Sequence, residues 1–376
     1  MSKKEITIVI ATLLILIAIV FIVVTLINKK KNPVEPGNPE VPDIPRIDFS
    51  EKIEIVPTMD DQIKSDTSWC ATFQLVWNDL KNEVVKQDIK MSPQPEIADN
   101  LNKESFTEDM ISDEYYYKIY GPKSLSLKAE IEKGIKEKFN QTSDILNDFD
   151  WSEEATTASD PKRMFFYTML YREFEYLYEF DKLDNGNFGK NTDVEYFGID
   201  SNSNEELRSN IRVLYYNSKE DFAIVLKTKN NDEVIMVKSP DGNTFNEIYN
   251  NMNKKAENRV GSSYMEEEDF FKAPKLKFNV KKDYIELAGK MFTTADGDVL
   301  EIAKALQTIQ FEIDEKGGKV KSEAAIDVKD GLAIDPGAKP KPRYFYLDDT
   351  FALFLREEGK DMPYFAARIE DITKYQ

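Results

Sequence analysis

The sequence contains no histidine and only one cysteine, Cys70, among its 376 residues. Without imidazole or a second thiol, it cannot build a Ser-His-Asp or Cys-His catalytic unit, a histidine or cysteine metal site, or an intrachain disulfide. Carboxylate catalysis is the one enzymatic class left, and no pair of carboxylates stands out to carry it. We therefore expect a protein that is not an enzyme and binds no metal or cofactor. Cys70 lies among Trp69, Phe73 and Trp77, and we expect it to be a buried thiol.

Basic residues are also in deficit, with 50 lysines and arginines against 69 aspartates and glutamates, which gives a formal net charge of -19. A chain of this charge repels nucleic acid, so we expect no nucleic-acid partner. Apolar residues are not scarce: 41% of the chain is hydrophobic and 12% is aromatic. That content allows a substantial core in one large domain or two ordinary ones.

One long stretch without charge runs from Ile6 to Ile27 and consists of apolar residues and threonine. At about 1.5 Å per residue, a helix over this stretch is about 33 Å long and spans a bilayer core of roughly 30 Å. No small-residue cleavage site follows it, so we expect an uncleaved signal-anchor, a transmembrane helix at 6–28 behind a short tail at 1–5. Because the amino-terminal tail is so small, we expect the large carboxy-terminal domain to be extracytoplasmic, as in a single-pass bacterial surface protein.

Residues 29–47 are first basic and then rich in proline. From Pro33 to Pro45 a proline occurs at every third position, which favours an extended polyproline stalk. A ligand for a proline-recognition domain is the weaker alternative, because that ligand is expected on the cytoplasmic side.

Residues 48–376 are expected to form one α+β domain in which helices pack on antiparallel or mixed β-sheets. Apolar spacing predicts helices at Ser65–Lys86, Ser124–Phe139 and Thr244–Ala256. Strands are predicted at Arg163–Phe180, Ile211–Tyr216, Phe222–Leu226, Glu233–Val237, Ile309–Ile313, Phe351–Leu355 and Tyr364–Ile369. Asp184–Gly186 is expected to be a turn, and the acidic run Glu266–Asp269 a solvated helix start.

A long polar segment, at about 315–349, separates two of the predicted strands. Most connections in compact domains have only about 4 to 6 residues, and long loops without structure of their own are usually functional or disordered. The segment is therefore the main candidate for a functional element.

Both flanks of this segment resemble the serpin family. Phe311–Gly317 is similar to the serpin strand and hinge V-E-V-N-E-x-G, and Ser322–Ala325 is similar to the T-E-A-A that follows it. Further likenesses occur in the family's order at Thr168–Phe180, Val213–Tyr216, Phe222–Leu226, Ala273–Phe278 with Tyr284 and Leu287, Thr350–Leu355 and Tyr364–Ile369 with its Arg368. In serpins the strand that resembles Ala273–Phe278 precedes a short helix, so the resemblance implies a short helix near Tyr284 and Leu287. The resemblance covers roughly 163–376 and implies a serpin-like fold with a long exposed loop near the carboxyl end.

The resemblance also implies a mechanism. In inhibitory serpins a protease cuts the exposed reactive loop, which then inserts into a central sheet while the protease is still attached. Absence of histidine is no objection, because the catalyst belongs to the protease. The hinge that begins this insertion would comprise Glu315, Gly317, Gly318, Ser322, Glu323, Ala324 and Ala325.

Two registers of the hinge are open. Reading straight on from Gly317 puts Gly318, Val320, Ser322 and Ala324 on one face, and the family's usual spacing then places the scissile bond near Gly331–Leu332. Aligning Ser322–Ala325 with the family's T-E-A-A instead requires about four extra residues and moves the bond to Asp335–Pro336.

Two functions accordingly remain. The chain is either a membrane-anchored, extracytoplasmic protease inhibitor that acts through its 315–349 loop, with a protease as partner, or a non-inhibitory binding or structural module on a serpin-like fold.

Overall fold

The computed structural model describes residues 52–143, 145–151, 164–318 and 341–376. The expected tail, anchor and stalk at 1–47 lie outside these ranges. Within the described ranges, no helix combines the length and the apolar content that a membrane span requires.

Four helices can be defined in the described part of the chain: α1 Thr72–Asp79, α2 Glu96–Leu101, α3 Leu125–Phe139 and α4 Phe245–Glu257. The first continues into a π-helical turn at Leu80–Val85. Short 3-10 turns occur at Glu108–Met110, Asp113–Tyr115, Leu146–Asp148, Glu205–Asn210 and Ile372–Lys374.

Strands dominate the fold. In chain order they are β1 Glu54–Ile55, β2 Thr67–Cys70, β3 Tyr116–Pro122, β4 Met164–Leu170, β5 Phe174–Glu175, β6 Asp181–Phe188, β7 Asn191–Ile199, β8 Ile211–Ser218, β9 Asp221–Lys227, β10 Asp232–Lys238, β11 Phe270–Pro274, β12 Leu276–Asp283, β13 Lys290–Thr293, β14 Val299–Ile302, β15 Leu306–Ile313, β16 Gly317–Gly318, β17 Tyr344–Tyr346, β18 Phe351–Glu357 and β19 Phe365–Ile369.

These strands form three main sheets. The large sheet has the order β1-β2-β19-β18-β10-β9-β8, the distal sheet β17-β11-β7-β6 and the hinge sheet β12-β15-β16-β5. Two smaller pairs, β3-β4 and β13-β14, complete the set. The large sheet and the hinge sheet pack face to face, and the stacked rings of Phe311 and Phe365 lie 4.8 Å apart between them.

The helix predicted after Pro122 is confirmed and shows how the elements form. Leu127, Ile131, Ile135 and Phe139 recur at helical spacing and are all buried. Ser124 caps the helix, because its hydroxyl accepts a hydrogen bond from the backbone N–H of Leu127 at 3.2 Å. The buried face packs on β3 and β4 through a core that includes Phe165 and Tyr167.

The strands predicted from Ile211 onwards are confirmed, as is α4 with Thr244 as its cap. The single strand predicted at Arg163–Phe180 is partly wrong, because the chain is divided there into β4 and β5. The Ser65–Lys86 helix is partly wrong, because Thr67–Cys70 forms β2 and pairs with β19 before α1 begins. The spacing of Trp69 and Phe73 had suggested one continuous helix, but Trp69 is instead buried by strand pairing. Cys70 is buried as expected.

Three smaller expectations need correction. Asp184–Gly186 lies inside β6, where a β-bulge absorbs the residues that looked like a turn. The short helix that the family resemblance implied after β12 is a turn, in which Leu287 N–H donates to the carbonyl oxygen of Tyr284. Glu266–Asp269 precedes strand β11 and begins no helix.

A buried ion pair fixes the break between β4 and β5. The Arg172 side chain is 2% exposed, and its Nε donates to the Asp232 carboxylate of β10 at 3.1 Å. Tyr364 donates its hydroxyl to the same carboxylate at 2.8 Å, and the Tyr115 ring lies 3.3 Å from the guanidinium. Such a pair ties this edge of the structure to the large sheet, because separating it would leave a charge buried without a partner.

Candidate functional site

The long loop begins with a tight reversal of the chain at the end of β15. Asp314 N–H donates to the carbonyl oxygen of Gly317 at 2.9 Å, and Lys316 N–H donates to the Asp314 carboxylate at 2.8 Å. Gly318 consequently pairs antiparallel with Ile313. The chain therefore enters the loop already lying against β15.

The other edge of β16 is also paired. Gly317 and Gly318 lie antiparallel to Glu175 and Phe174 of β5. Tyr176 N–H also donates to the carbonyl oxygen of Lys316 at 3.0 Å. The first residues of the loop are thus a central strand between β15 and β5.

Glycine is required at both positions of β16. Gly317 has φ +154, and a Cβ there would lie 2.0 Å from the carbonyl oxygen of Phe174. A Cβ on Gly318 would lie 2.2 Å from the Phe174 ring. Since Phe174 is 2% exposed and cannot move freely, the two glycines allow the loop to begin between the two strands.

Glu315 anchors this end of the loop. Its side chain is 3% exposed, with Oε2 lying 2.8 Å from Lys275 Nζ and Oε1 lying 3.1 Å from Lys182 Nζ. Burial on its own would raise the pKa of Glu315, but the ammonium group of Lys275, a backbone hydrogen bond and the ammonium group of Lys182 outweigh it and lower the pKa to about 2. The hinge therefore carries an ionised carboxylate throughout the ordinary pH range.

Beyond β16, towards the amino-terminal end of β15, β15 and β4 are separated from each other. Among the described strands, β4 pairs with β3 alone, and β15 has no partner on its second edge below Ile313. A cavity of about 870 Å³ lies between Met164–Tyr171 and Leu306–Glu312. Its floor includes Phe73, Trp77 and Leu80 from α1 and the turn after it. We call this cavity the gap.

Some polar side chains that line the gap have hydrogen-bond partners, and one has none among the described residues. Gln307 Nε2 donates to the carbonyl oxygen of Cys70 and to Thr72 Oγ1, both at 3.0 Å. Its Oε1 accepts from the Tyr284 hydroxyl at 2.7 Å. Across the gap, the buried Oγ1 of Thr168 has no hydrogen-bond partner among the described residues. The two strand edges therefore offer hydrogen-bonding capacity that an added strand can use.

The far end of the loop is held by a second ion pair. Arg343 Nε and Nη2 donate to Oδ2 of Asp269 at 3.1 and 2.6 Å, and Arg343 N–H donates to Oδ1 at 2.9 Å. The guanidinium also donates to the carbonyl oxygens of Tyr264 at 2.7 Å and Ser262 at 3.3 Å. Asp269 is 1% exposed, so the expectation of a solvated acidic run is wrong at this residue.

The structure brings together the hinge residues Glu315, Gly317 and Gly318. The other predicted site residues, Ser322, Glu323, Ala324, Ala325, Gly331, Leu332, Asp335 and Pro336, lie outside the described residues. Sequence reasoning missed Lys182, Lys275, Asp269 and Arg343. An ion pair between residues far apart in the chain leaves no periodic signal, and only the acidic run hinted at Asp269.

No family model matches the chain, and no curated protein matches it. Several solved serpin structures are similar to it. Serpin48 from the insect Tenebrio molitor is 13% identical with a TM-score of 0.45, covering 82% of this chain and 92% of its own. The native thermophilic serpin tengpin is 14% identical with a TM-score of 0.46 over 83% and 90%. Thyroxine-binding globulin, in complex with thyroxine, is 12% identical with a TM-score of 0.42 over 81% and 92%.

The likeness to serpins expected from the sequence is thus found among solved structures, as a distant one of fold. At these identities and TM-scores, nothing about activity follows from it.

We expect Glu315→Gln to lower the free energy of unfolding at pH 7 by up to about 3 kcal/mol, because the carboxylate gains its ion pairs only in the folded state. This contribution is complete above the unfolded pKa of about 4.5 and is lost as the pH falls towards 2. Urea unfolding at pH 7, 4 and 3 should show the two proteins converging. Glu312→Gln is the control, since its ion pair with Lys277 is exposed and should change stability by less than about 1 kcal/mol. A difference that is the same at all three pH values would contradict this role.

Proposed function

We propose that the chain is a serpin-like protease trap, anchored in the membrane at 6–28 with its large domain outside the cytoplasm. The loop at 315–349 is the bait, and after cleavage its first part inserts into the gap between β4 and β15. The observation that carries the proposal is a strand-sized gap whose upper end is already occupied by Gly317 and Gly318 of that loop.

The existing pairing defines the register of insertion. In an antiparallel ladder, each step of two residues along one strand is matched by two residues back along the other. From Gly318 opposite Ile313, Ser322 would come to lie opposite Ile309, and Ala324 opposite Gln307. On the other side, Gly318 lies opposite Phe174 of β5, and a count that continues unbroken through residues 171–173 into β4 would bring Ala324 opposite Thr168.

The sequence fits this register over the eight residues 318–325, which would lie opposite Ile313–Leu306 of β15. Ile313, Phe311 and Ile309 are buried, and side chains directly opposite them share their face. The inward series would be Gly318, Val320, Ser322 and Ala324, all apolar or small. The outward series would be Lys319, Lys321, Glu323 and Ala325, of which three are charged. This alternation supports the straight register, and with it cleavage near Gly331–Leu332.

The protease would carry out all of the covalent chemistry. Its serine or cysteine nucleophile would attack the carbonyl carbon of Gly331, the bond to the nitrogen of Leu332 would break, and the leaving amine would take a proton from the protease. Insertion then moves the acyl-linked protease away before water can release it. This chain would contribute the edges of β4 and β15, with which the inserted loop can pair, and apolar side chains of α1 against which it can pack.

A first test uses the full chain in detergent with elastase, subtilisin and thermolysin. We expect a complex stable in denaturing detergent with the two serine proteases and cleavage alone with thermolysin, because a metalloprotease forms no acyl intermediate. Both outcomes should create a new amino terminus at Leu332 and raise the melting temperature. Cleavage without a rise in melting temperature would rule out insertion. Cleavage with a rise and no complex would favour the non-inhibitory module.

A second test separates the two faces of the inserted strand. Ala324→Arg places a charge on the inward face beside Gln307 and Thr168, so the variant should be cut without trapping the protease. Glu323→Arg, one residue earlier, places the same side chain on the outward face and should trap as the unaltered protein does. For each variant, the measurement is the ratio of covalent protease complex to cleaved protein. Equal loss in the two variants would contradict the register.

Membrane anchoring is supported by the uncharged run at 6–27. Leu14→Arg combined with Ile17→Arg should move the protein from the membrane to the soluble fraction, because two charges at the centre of the helix are costly in a bilayer. Ser2→Arg, outside the run, is the control. Digestion of the large domain by protease added to intact cells checks the orientation, and protection from that protease would place the domain inside.

A further inference from the structure

A lysine on the distal sheet is held mainly by aromatic rings. Lys272 lies on β11 between the fully buried residues Phe271 and Ala273, so its side chain projects from the opposite face of the sheet. Its Nζ lies 4.5 Å from the centroid of the Tyr196 ring and 4.9 Å from that of the Tyr346 ring. It makes no hydrogen bond with any residue that the structure describes. The amine therefore has little polar support.

The carboxylate nearest to Lys272 is already paired with another lysine. Oδ2 of Asp348 is 4.0 Å from Lys272 Nζ, whereas Oδ1 accepts a hydrogen bond from Lys238 Nζ at 2.8 Å. Lys238 is 1% exposed, so its ammonium group depends on this carboxylate. Two ammonium groups consequently compete for one carboxylate, and the more distant one, that of Lys272, gains less from it.

These surroundings favour the neutral form of the Lys272 amine. Burial lowers the pKa of Lys272, and the charge of Lys238 lowers it further, while the Asp348 carboxylate offsets only part of this effect. Burial also raises the pKa of Tyr196 and of Tyr346, so both rings stay neutral and place no negative charge beside the amine. A neutral amine is a nucleophile, whereas an ammonium group is not.

Open space and flat rings adjoin this amine. Gly186 of β6 leaves one side free, because a Cβ there would lie 3.7 Å from the amine nitrogen and 3.3 Å from the Tyr196 ring. On the other side, the Tyr346 ring lies 5.5 Å from that of Tyr344, which stacks on Phe270 at 5.4 Å. Tyr344 is 38% exposed. The amine thus opens onto an aromatic surface that a flat ligand can contact.

We propose that Lys272 is a covalent binding site for an aromatic aldehyde. The neutral Nζ attacks the aldehyde carbon, the carbonyl oxygen leaves as water with the two protons of the amine, and an imine joins the ligand to the lysine. The ring of the ligand stacks on Tyr346 or Tyr344. The site is independent of loop insertion, because neither the gap nor the hinge takes part in it.

The test treats the full chain in detergent with benzaldehyde and sodium cyanoborohydride at pH 7, where the hydride reduces the imine to a stable amine. Peptide mass spectrometry measures the rate of labelling at each lysine. We expect Lys272 to be labelled at least about tenfold faster than Lys275, the matched control. The two side chains are similarly exposed, at 20% and 24%. Burial would lower the pKa of Lys275, but the carboxylates of Glu315 and Glu195 outweigh it and raise the pKa.

Two variants, each verified as folded by its melting temperature, check the cause. Lys238→Met leaves Asp348 to Lys272 alone, so labelling of Lys272 should slow at pH 7 and recover at pH 9. Gly186→Ala fills the space beside the amine and should slow labelling of Lys272 at both pH values. Lys275 should be labelled at the unaltered rate in both variants.

Propanal, an aldehyde without a ring, tests the recognition of the ligand. The ratio of labelling at Lys272 to labelling at Lys275 should be at least about threefold smaller with propanal than with benzaldehyde, because stacking is lost. Equal ratios would overturn the assignment of an aromatic ligand. If benzaldehyde labels Lys272 no faster than Lys275, or if Lys238→Met and Gly186→Ala leave the rate at Lys272 unchanged, the site itself is wrong.

Discussion

The missing pairing between β4 and β15 is the constraint on which this structure depends. Both strands present backbone donors and acceptors to a gap between them, and such groups are stable when another strand pairs with them. Among the described residues, the hinge strand β16 supplies that partner at one end only, where it pairs with β15 and β5. The rest of the gap is framed by apolar side chains of α1. The hinge sheet is thus an interrupted sheet whose pairing can be extended along a register already set.

Two buried carboxylates, Glu315 and Asp269, hold the described ends of the loop. Glu315 is neutralised by two lysines and Asp269 by one arginine, and each of the two acidic residues is at most 3% exposed. Carboxylates buried this deeply are stable only with their partners in place, so each pair fixes the position of the backbone that carries it. The chain is therefore held on both sides of residues 319–340.

Local pattern was enough to predict much of the fold. The helix Leu125–Phe139 and the strands from Ile211 onwards follow apolar periodicity, because one face of each is buried. Apolar periodicity gave a wrong prediction at Thr67–Cys70, where a strand and the following helix share an apolar spacing. The prediction of a turn was wrong at Asp184–Gly186, where residues typical of a turn form a β-bulge. In both cases strand pairing with distant residues overrode the local preference.

The candidate site was only partly predictable for a related reason. The hinge residues Glu315, Gly317 and Gly318 were recognised by resemblance, but the need for glycine arises from Phe174, more than 140 residues earlier in the chain. The gap itself is a relation between two strands, so no single stretch of sequence reports it. What the sequence does carry is an alternation of small or apolar with charged side chains over residues 318–325. A strand with one buried face requires such an alternation, whereas a solvated loop does not. The pattern therefore supports the insertion proposed above.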